Sequence, residues 1–379
     1  MLKLPPLGLY IHIPWCTEKC PYCDFNSYAL KDVLPYKQYI DHLLLDLDAD
    51  LPLIGDREIS TIFIGGGTPT LFSPQNIQLL LEGVRSRTLV ANNAEVTIEA
   101  NPSTVEANYF SGYQSAGVNR ISIGIQSFNA EQLILLGRIH SVQEAKYASY
   151  LASDLGLRSF NLDLIHGLPA QSLGGAMNDL YQAITLNTPH LSWYQLTIEP
   201  NTLYSSRSPI LPKNNILWDI FEQGHQLLSI AGYQQYEISS YAKSVYYQCQ
   251  HNLNYWRFGD YLGIGCGAHS KLTFSSGRIL RLVKTKHPRG FMQGKYRDQQ
   301  YEVALVDRPL EFFMNRFRLL EPAPRIDFFH YTGLEESVIR SQLDKALMQG
   351  YIKETAEYWQ ITEQGKFFLN TLLEWFLVD

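Results

Sequence analysis

The sequence predicts an α/β fold in which a partial (β/α) barrel precedes a smaller C-terminal domain, and three observations support this. Short segments rich in β-branched residues alternate with longer segments of helical periodicity, which is typical of parallel strands joined by helical crossovers. Cysteine and polar residues cluster at the ends of the predicted strands, as on the catalytic face of a (β/α) barrel. Near the C-terminus the pattern becomes helix, two short strands and helix. An open parallel sheet is the alternative for the first part.

The predicted barrel elements follow one another regularly. Strands are predicted at residues 7–13, 61–64, 95–99, 120–123, 159–164 and 191–196. Helices are predicted at residues 35–51, 74–87, 104–117, 142–155 and 173–186. We assign this domain to residues 1–232.

Two further regions follow. Residues 233–300 are predicted to be a connecting segment, rich in aromatic residues at first and then in basic ones. Residues 301–379 are predicted to form a helical, winged-helix-like domain, with a helix at 335–349, strands at 351–354 and 358–361, and a last helix from 362. Winged-helix modules often bind DNA, but residues 311–379 carry 7 basic and 11 acidic residues, which argues against contact with phosphates.

The composition excludes several classes of protein. With 45% hydrophobic and 18% charged residues the chain has enough apolar material for a large core, so it is not disordered. A net charge of −6 argues against a nucleic-acid partner. No apolar run is long enough to span a bilayer, and no secretory signal precedes the first strand. Five cysteines are too few, and odd in number, for a disulfide framework, so we expect a cytoplasmic protein.

Three of the cysteines, Cys16, Cys20 and Cys23, lie within eight residues, directly after the first predicted strand. A structural zinc site needs four ligands, usually in two pairs, and no second pair exists here. Three thiolates on one short loop suit a 4Fe–4S cluster whose fourth iron stays open to an exogenous ligand.

With this triplet the chain resembles the radical SAM (S-adenosylmethionine) superfamily. The segments Gly65-Gly-Gly-Thr-Pro-Thr70 and Glu99-Ala-Asn-Pro102, with residues 10–16 and 119–128, resemble the branch that contains oxygen-independent coproporphyrinogen III oxidase. Residues 136–140 and 163–169 and the segment His251-Asn-x-x-Tyr-Trp256 resemble more closely the HemW family of heme chaperones. The motifs extend over nearly the whole chain.

The resemblance implies a 4Fe–4S cluster on Cys16, Cys20 and Cys23, a bound S-adenosylmethionine, and a flavodoxin- or ferredoxin-type electron donor. By this resemblance Glu99 balances the ammonium group of the cofactor, Arg138 its carboxylate, and Asp163 accepts hydrogen bonds from its ribose. The full set of implied cofactor contacts is Tyr10, Tyr22, Gly66, Gly67, Thr68, Glu99, Gln126, Arg138 and Asp163.

One departure separates the two branches. The oxidase pattern has a fourth cysteine two residues after the third, and this chain has Phe25 there. This favours a heme chaperone, which binds heme and passes it to an acceptor protein. The alternative is an oxygen-independent coproporphyrinogen III oxidase or dehydrogenase of porphyrin biosynthesis.

His251 is the first candidate for a heme ligand. It lies in the aromatic region, and a neutral imidazole is a common axial ligand of heme iron. A histidine that satisfies backbone groups in a packed turn explains the same residue, and Cys249, Cys266 and His269 are rival ligands. The seven basic residues between 278 and 297 are candidates to pair with heme propionates.

Overall fold

A computed structural model describes residues 2–31 and 33–377 of the chain. The strands are β1 Leu7–Ile13, β2 Trp15–Cys16, β3 Tyr28–Ala29, β4 Ile59–Gly66, β5 Val90–Ala100, β6 Arg120–Gln126, β7 Ser159–His166, β8 His190–Gln195, β9 Gln234–Glu237, β10 Ser240–Ala242, β11 Asp260–Ile264, β12 His269–Thr273, β13 Ile279–Lys284, β14 Arg297–Glu302, β15 Ala323–Pro324, β16 Ile352–Glu354 and β17 Tyr358–Ile361. The α-helices are α1 Tyr36–Ile54, α2 Pro74–Arg85, α3 Thr104–Ala107, α4 Phe110–Ser115, α5 Ala130–Leu135, α6 Val142–Asp154, α7 Leu173–Thr185, α8 Leu203–Ser206, α9 Asn214–Ile230, α10 Gln250–Trp256, α11 Pro288–Phe291, α12 Arg308–Arg316, α13 Arg325–Thr332, α14 Arg340–Met348, α15 Glu363–Phe367 and α16 Leu369–Glu374.

One sheet of twelve strands organises the molecule, in the order β14, β13, β12, β11, β1, β4, β5, β6, β7, β8, β10, β9. The run from β11 to β8 is parallel throughout, and from β1 onward its strands follow chain order, as in a (β/α) barrel. Within residues 2–31 and 33–377 the ends of this run do not pair with each other, so the barrel is partial. The predicted fold class is confirmed.

The crossover helices begin at polar caps that follow the strands. The side chains of Ser73, Ser103, Asn129, Ser141 and Ser172 each accept a hydrogen bond from the backbone N–H three residues later. Such caps satisfy backbone donors that a helix start leaves free.

In the described part of the chain, no helix is both long and apolar enough to cross a membrane.

The structure differs from the sequence prediction in several elements. The helix predicted at 104–117 is divided into α3 and α4, the last helix, predicted from 362, is divided into α15 and α16, and the helices α5, α8 and α9 were not predicted. The predicted connecting segment contributes six strands, β9 to β14, to both edges of the large sheet. Its helix α10 packs against β1, β4 and β11.

The C-terminal region has its own core. The helix α14, the hairpin of β16 and β17, and the helix α15 follow one another as the winged-helix-like pattern predicts, and β15 adds a third strand. Phe313, Phe328 and Trp359 are almost fully buried in this core. A backbone bridge between Glu237 and Leu319 joins the region to the large sheet.

Candidate functional site

A cavity of about 470 Å³ opens at the C-terminal ends of the parallel strands. Eleven of the thirteen predicted site residues line it: Cys16, Cys20, Tyr22, Cys23, Gly66, Gly67, Thr68, Glu99, Gln126, Arg138 and Asp163. The other two, Tyr10 and His251, do not. The parallel run therefore brings residues from five separate strand ends to one place, as expected for a (β/α) barrel.

The three cysteines lie on the loop between β2 and β3, which pair with each other in parallel. Cys16 is buried, whereas Cys20 and Cys23 are half-buried and the Cys23 N–H donates to the Cys20 carbonyl. Burial raises the pKa of the Cys16 and Cys23 thiols, and the hydrogen bond with Ser27 and the charge of Lys19 partly offset this rise. The three thiols are the only cysteines that line this cavity.

Among the described residues, no group of three or more His, Cys, Asp or Glu side chains is arranged to hold a single metal ion. A 4Fe–4S cluster makes a different demand, because each of its cysteine ligands binds a different iron. In the described part of the chain three thiols and no fourth line this cavity, which fits a cluster with one open iron.

The glycine segment at the end of β4 packs directly on the backbone that leads into the cysteine loop. The N–H groups of Gly67 and Thr68 donate to the carbonyls of Ile13 and Trp15, at 2.7 Å each. A Cβ atom on Gly67 would lie 2.4 Å from the Trp15 carbonyl oxygen, and Gly66 has a φ of +116°. The glycines are therefore required for the close approach of two backbones, in addition to lining the cavity.

Glu99, near the end of β5, contacts the glycine segment and lines the cavity. Its Oε2 accepts a hydrogen bond from the Gly66 N–H at 2.9 Å. Burial, with a smaller contribution from the charge of Asp163, raises the pKa of Glu99 to about 7. A cation bound beside it would favour the ionised form and lower this pKa.

Arg138 is held in place by three partners. Its Nη2 donates to Asn101 Oδ1 at 2.7 Å and to the Gly124 carbonyl at 2.8 Å, and its Nη1 donates to Cys20 Sγ at 3.6 Å. The guanidinium thus links the cysteine loop to the ends of β5 and β6. Its positive charge can stabilise a negatively charged thiolate at Cys20.

Gln126 and Asp163 lie on the neighbouring strands β6 and β7. Gln126 has a φ of +69°, which is unusual for a residue other than glycine and is often found at functional sites. Its Oε1 accepts a hydrogen bond from the Tyr194 hydroxyl. Asp163 accepts hydrogen bonds from Asn161 and Ser122, and burial raises its pKa.

Tyr10 and His251 are held by partners outside the cavity lining. The Tyr10 hydroxyl donates to His12 Nδ1, and His12 Nε2 donates to the Asn26 carbonyl, so Tyr10 is linked to the cysteine loop through one histidine. His251 is 1% exposed, and its ring stacks on Phe63. Only Asn252 and Trp256 of its helix line the cavity.

Both ring nitrogens of His251 have hydrogen-bond partners. Nδ1 lies 2.8 Å from Thr61 Oγ1, and Nε2 lies 2.8 Å from the Tyr255 hydroxyl. Burial lowers the pKa of His251 to about 3, so the ring is neutral. To bind a heme iron, His251 would have to break one of these bonds and leave the core.

We therefore expect the substitution His251→Ala to lower the free energy of unfolding by about 2 kcal/mol, because two buried hydrogen bonds are lost. Urea unfolding followed by circular dichroism measures this, with His269→Ala as the control because His269 is an exposed histidine of the same region. Equal stability of the His251→Ala variant and the wild-type protein would contradict the packing role.

The basic residues predicted to meet heme propionates mostly have acidic partners. Lys284 pairs with Asp46 and Asp50, and Arg281 pairs with Glu311. Arg278 and Arg297 also form ion pairs. The rival ligands Cys249 and Cys266 are fully buried, whereas His269 is exposed.

Three groups around the cavity were not predicted from the sequence. Asn101 orients Arg138, Tyr194 contacts Gln126, and Ser122 contacts Asp163. Asn101 lies two residues after Glu99 and could have been found from that motif. Ser122 likewise lies within the motif at 119–128, but its contact with Asp163 depends on which strands are neighbours. No local signal identifies Tyr194.

Two family models match the chain. The model of the radical SAM superfamily matches residues 10–180, and that of the HemN C-terminal domain matches residues 303–368.

The chain is similar to several known proteins. It is 68% identical to the heme chaperone HemW of Escherichia coli (strain K12), over 100% of both chains. It is 31% identical to the heme chaperone HemW of Bacillus subtilis (strain 168), over 97% of this chain and 98% of the other. Among solved structures, coproporphyrinogen III oxidase (HemN) from Escherichia coli matches with a TM-score of 0.83 at 22% identity, over 98% of this chain and 90% of the other.

Proposed function

The chain belongs to the HemW family of heme chaperones within the radical SAM superfamily, and from this premise we propose that it binds heme and delivers it to an acceptor protein. The observation that carries the proposal is the 68% identity to a heme chaperone over the full length of both chains. Phe25, at the position where the oxidase pattern has a cysteine, supports the same function. The likeness to coproporphyrinogen III oxidase, at 22% identity, extends to the fold alone.

We propose that Cys16, Cys20 and Cys23 hold one 4Fe–4S cluster, and that S-adenosylmethionine binds beside it in the same cavity. When bound, the reduced cluster supplies an electron to the sulfonium cofactor. The described residues favour this placement, since three thiols, the Glu99 carboxyl group and the Arg138 guanidinium line one cavity. The electron donor is proposed to be a flavodoxin- or ferredoxin-type protein and the location cytoplasmic.

The residues of the chain have separate tasks in this proposal. Glu99, with its pKa near 7 and its carboxylate fixed by Gly66, balances the ammonium group of the cofactor. Arg138 faces the carboxylate of the cofactor. Through its contact with Cys20 it also partly offsets the negative charge of the cluster ligands. Asp163 accepts hydrogen bonds from the ribose of the cofactor, and Gln126 contacts the cofactor beside it. Tyr22, packed against Tyr204, covers the adenine. Gly67 and Thr68 fix the cysteine loop and so orient the cluster.

An anaerobic heme titration of the cluster-reconstituted protein tests the proposal. We expect a saturable change in the Soret region at about one heme per chain, measured as a difference spectrum against the same protein without heme. Consumption of coproporphyrinogen III is measured in the same preparation. Turnover of the porphyrinogen without saturable heme binding would contradict the chaperone function and support the oxidase.

A further inference from the structure

Side chains from three parallel strands and from β9 form a buried polar line that begins at Asp163. The strand register places Ser122 beside Asn161 and Asn161 beside His190. Asn161 and His190 are each 1% exposed, and Tyr236 of β9 is 7% exposed. This line leads from the cavity to β9 at the edge of the large sheet, and no function given above uses His190 or Tyr236.

The line begins at the carboxylate of Asp163. Asn161 Nδ2 donates to Asp163 Oδ1 at 2.8 Å and to Ser122 Oγ at 2.8 Å, and Ser122 Oγ donates to Asp163 Oδ2 at 3.1 Å. A carboxylate only accepts hydrogen bonds, so the amide nitrogen of Asn161 must face Asp163. Both oxygens of Asp163 are thus fixed by neighbours on β6 and β7.

His190 fixes the other end of the Asn161 amide. His190 Nδ1 lies 2.6 Å from Asn161 Oδ1, which can only accept, so Nδ1 carries the proton. Burial and the charge of Arg120 lower the pKa of His190 well below its usual value, so the ring is neutral. Nε2 is therefore an acceptor, and it receives the hydroxyl proton of Tyr236 at 2.8 Å. The hydroxyl oxygen of Tyr236 in turn accepts from the Cys249 N–H at 3.3 Å.

We propose that Tyr236 and His190 are positioning residues that orient the Asp163 carboxylate toward the ribose of S-adenosylmethionine, through Asn161. The Tyr236 hydroxyl holds the His190 ring at Nε2, and the ring donates from Nδ1 to the Asn161 oxygen, to which the Ser192 hydroxyl also donates at 3.1 Å. These bonds keep the amide nitrogen of Asn161 directed at Asp163. This inference rests on the proposed binding of S-adenosylmethionine in the cavity.

Binding of S-adenosylmethionine to the cluster-reconstituted protein, measured by anaerobic calorimetry, tests the inference. We expect the Asp163→Ala variant to bind about thirtyfold more weakly, since hydrogen bonds to a charged group are lost. The Tyr236→Phe variant, which keeps the ring and loses one neutral hydrogen bond, is expected to bind about fivefold more weakly.

Two comparisons separate positioning from a general effect on the fold. In the Asp163→Ala background, Tyr236→Phe is expected to cause no further loss, because residues that act through a third residue are not additive. His190→Gln, which can still accept from Tyr236 and donate to Asn161, should bind better than His190→Leu. The control is Tyr233→Phe, which removes a buried tyrosine hydrogen bond to the Thr188 carbonyl, outside the line.

Each other outcome overturns the inference. Wild-type affinity in Tyr236→Phe, or the same loss with and without Asp163, would show that Tyr236 does not act through this carboxylate while leaving the proposed function intact. Wild-type protein that binds no S-adenosylmethionine would contradict the proposed cofactor as well.

Discussion

Replacement of Cys20 by serine is expected to abolish the cluster. The other two thiols, Cys16 and Cys23, would remain on the loop, but two thiolates leave two irons without protein ligands. Serine keeps the size of the side chain, so the fold should persist. We expect loss of the broad visible absorbance near about 400 nm that such clusters show, and of bound iron after anaerobic reconstitution.

Cys266→Ser is the matched control for this experiment. Cys266 is also a free cysteine, but it is buried beside Tyr39 and does not line the cavity. Serine can accept the same hydrogen bond from the Tyr39 hydroxyl. We expect full iron content in this variant. A Cys20→Ser protein with wild-type iron content and spectrum would contradict the assignment of the cluster ligands.

The substitution Gly67→Ala is expected to lower the free energy of unfolding by about 3 kcal/mol, since its methyl group would overlap the backbone of Trp15. Backbone atoms cannot move aside as a flexible side chain can. The segment that must shift leads into Cys16, so cluster incorporation should fall together with stability. Urea unfolding of the protein before reconstitution measures the first effect, and iron content after reconstitution measures the second.

A second glycine provides the control. Gly174, in the first turn of α7, has no atom within 4 Å of the position that a Cβ would take. Alanine there should leave stability unchanged or raise it by up to about 1 kcal/mol. If Gly67→Ala were as stable as Gly174→Ala and held as much iron, the contact between the glycine segment and the cysteine loop would contribute neither to stability nor to cluster binding.

The part of the site that the sequence could predict is local or follows from strand order. Cys16, Cys20 and Cys23 share one loop, so their spacing alone places three thiols together. Glu99 and Gln126 lie at or just after the ends of predicted parallel strands, and such ends meet on one face of a barrel. Register and chain order therefore suffice to predict that these residues are neighbours.

The strands of the connecting segment could not be recognised in this way. In the sequence, Lys271 of β12 and Lys284 of β13 indicate solvent-exposed positions, because lysine side chains are rarely buried. In the structure both side chains are 2% exposed or less. Lys271 pairs with the buried Asp260 at 3.0 Å, and Lys284 pairs with Asp46 and Asp50 of α1. A buried lysine requires such acidic partners, and the partners of Lys284 lie more than 230 residues away in the chain.

The sequence by itself determined the cysteine loop and the (β/α) order, because these depend on spacing and periodicity, and the resemblance to the family identified the candidate cofactor contacts. The tertiary structure decided which neighbours and hydrogen-bond partners each side chain has. It placed His251 in the core with both nitrogens bonded, and it connected Asp163 through Asn161 and His190 to Tyr236. An imidazole has the same chemistry as ligand or as core residue, and only its neighbours distinguish the two.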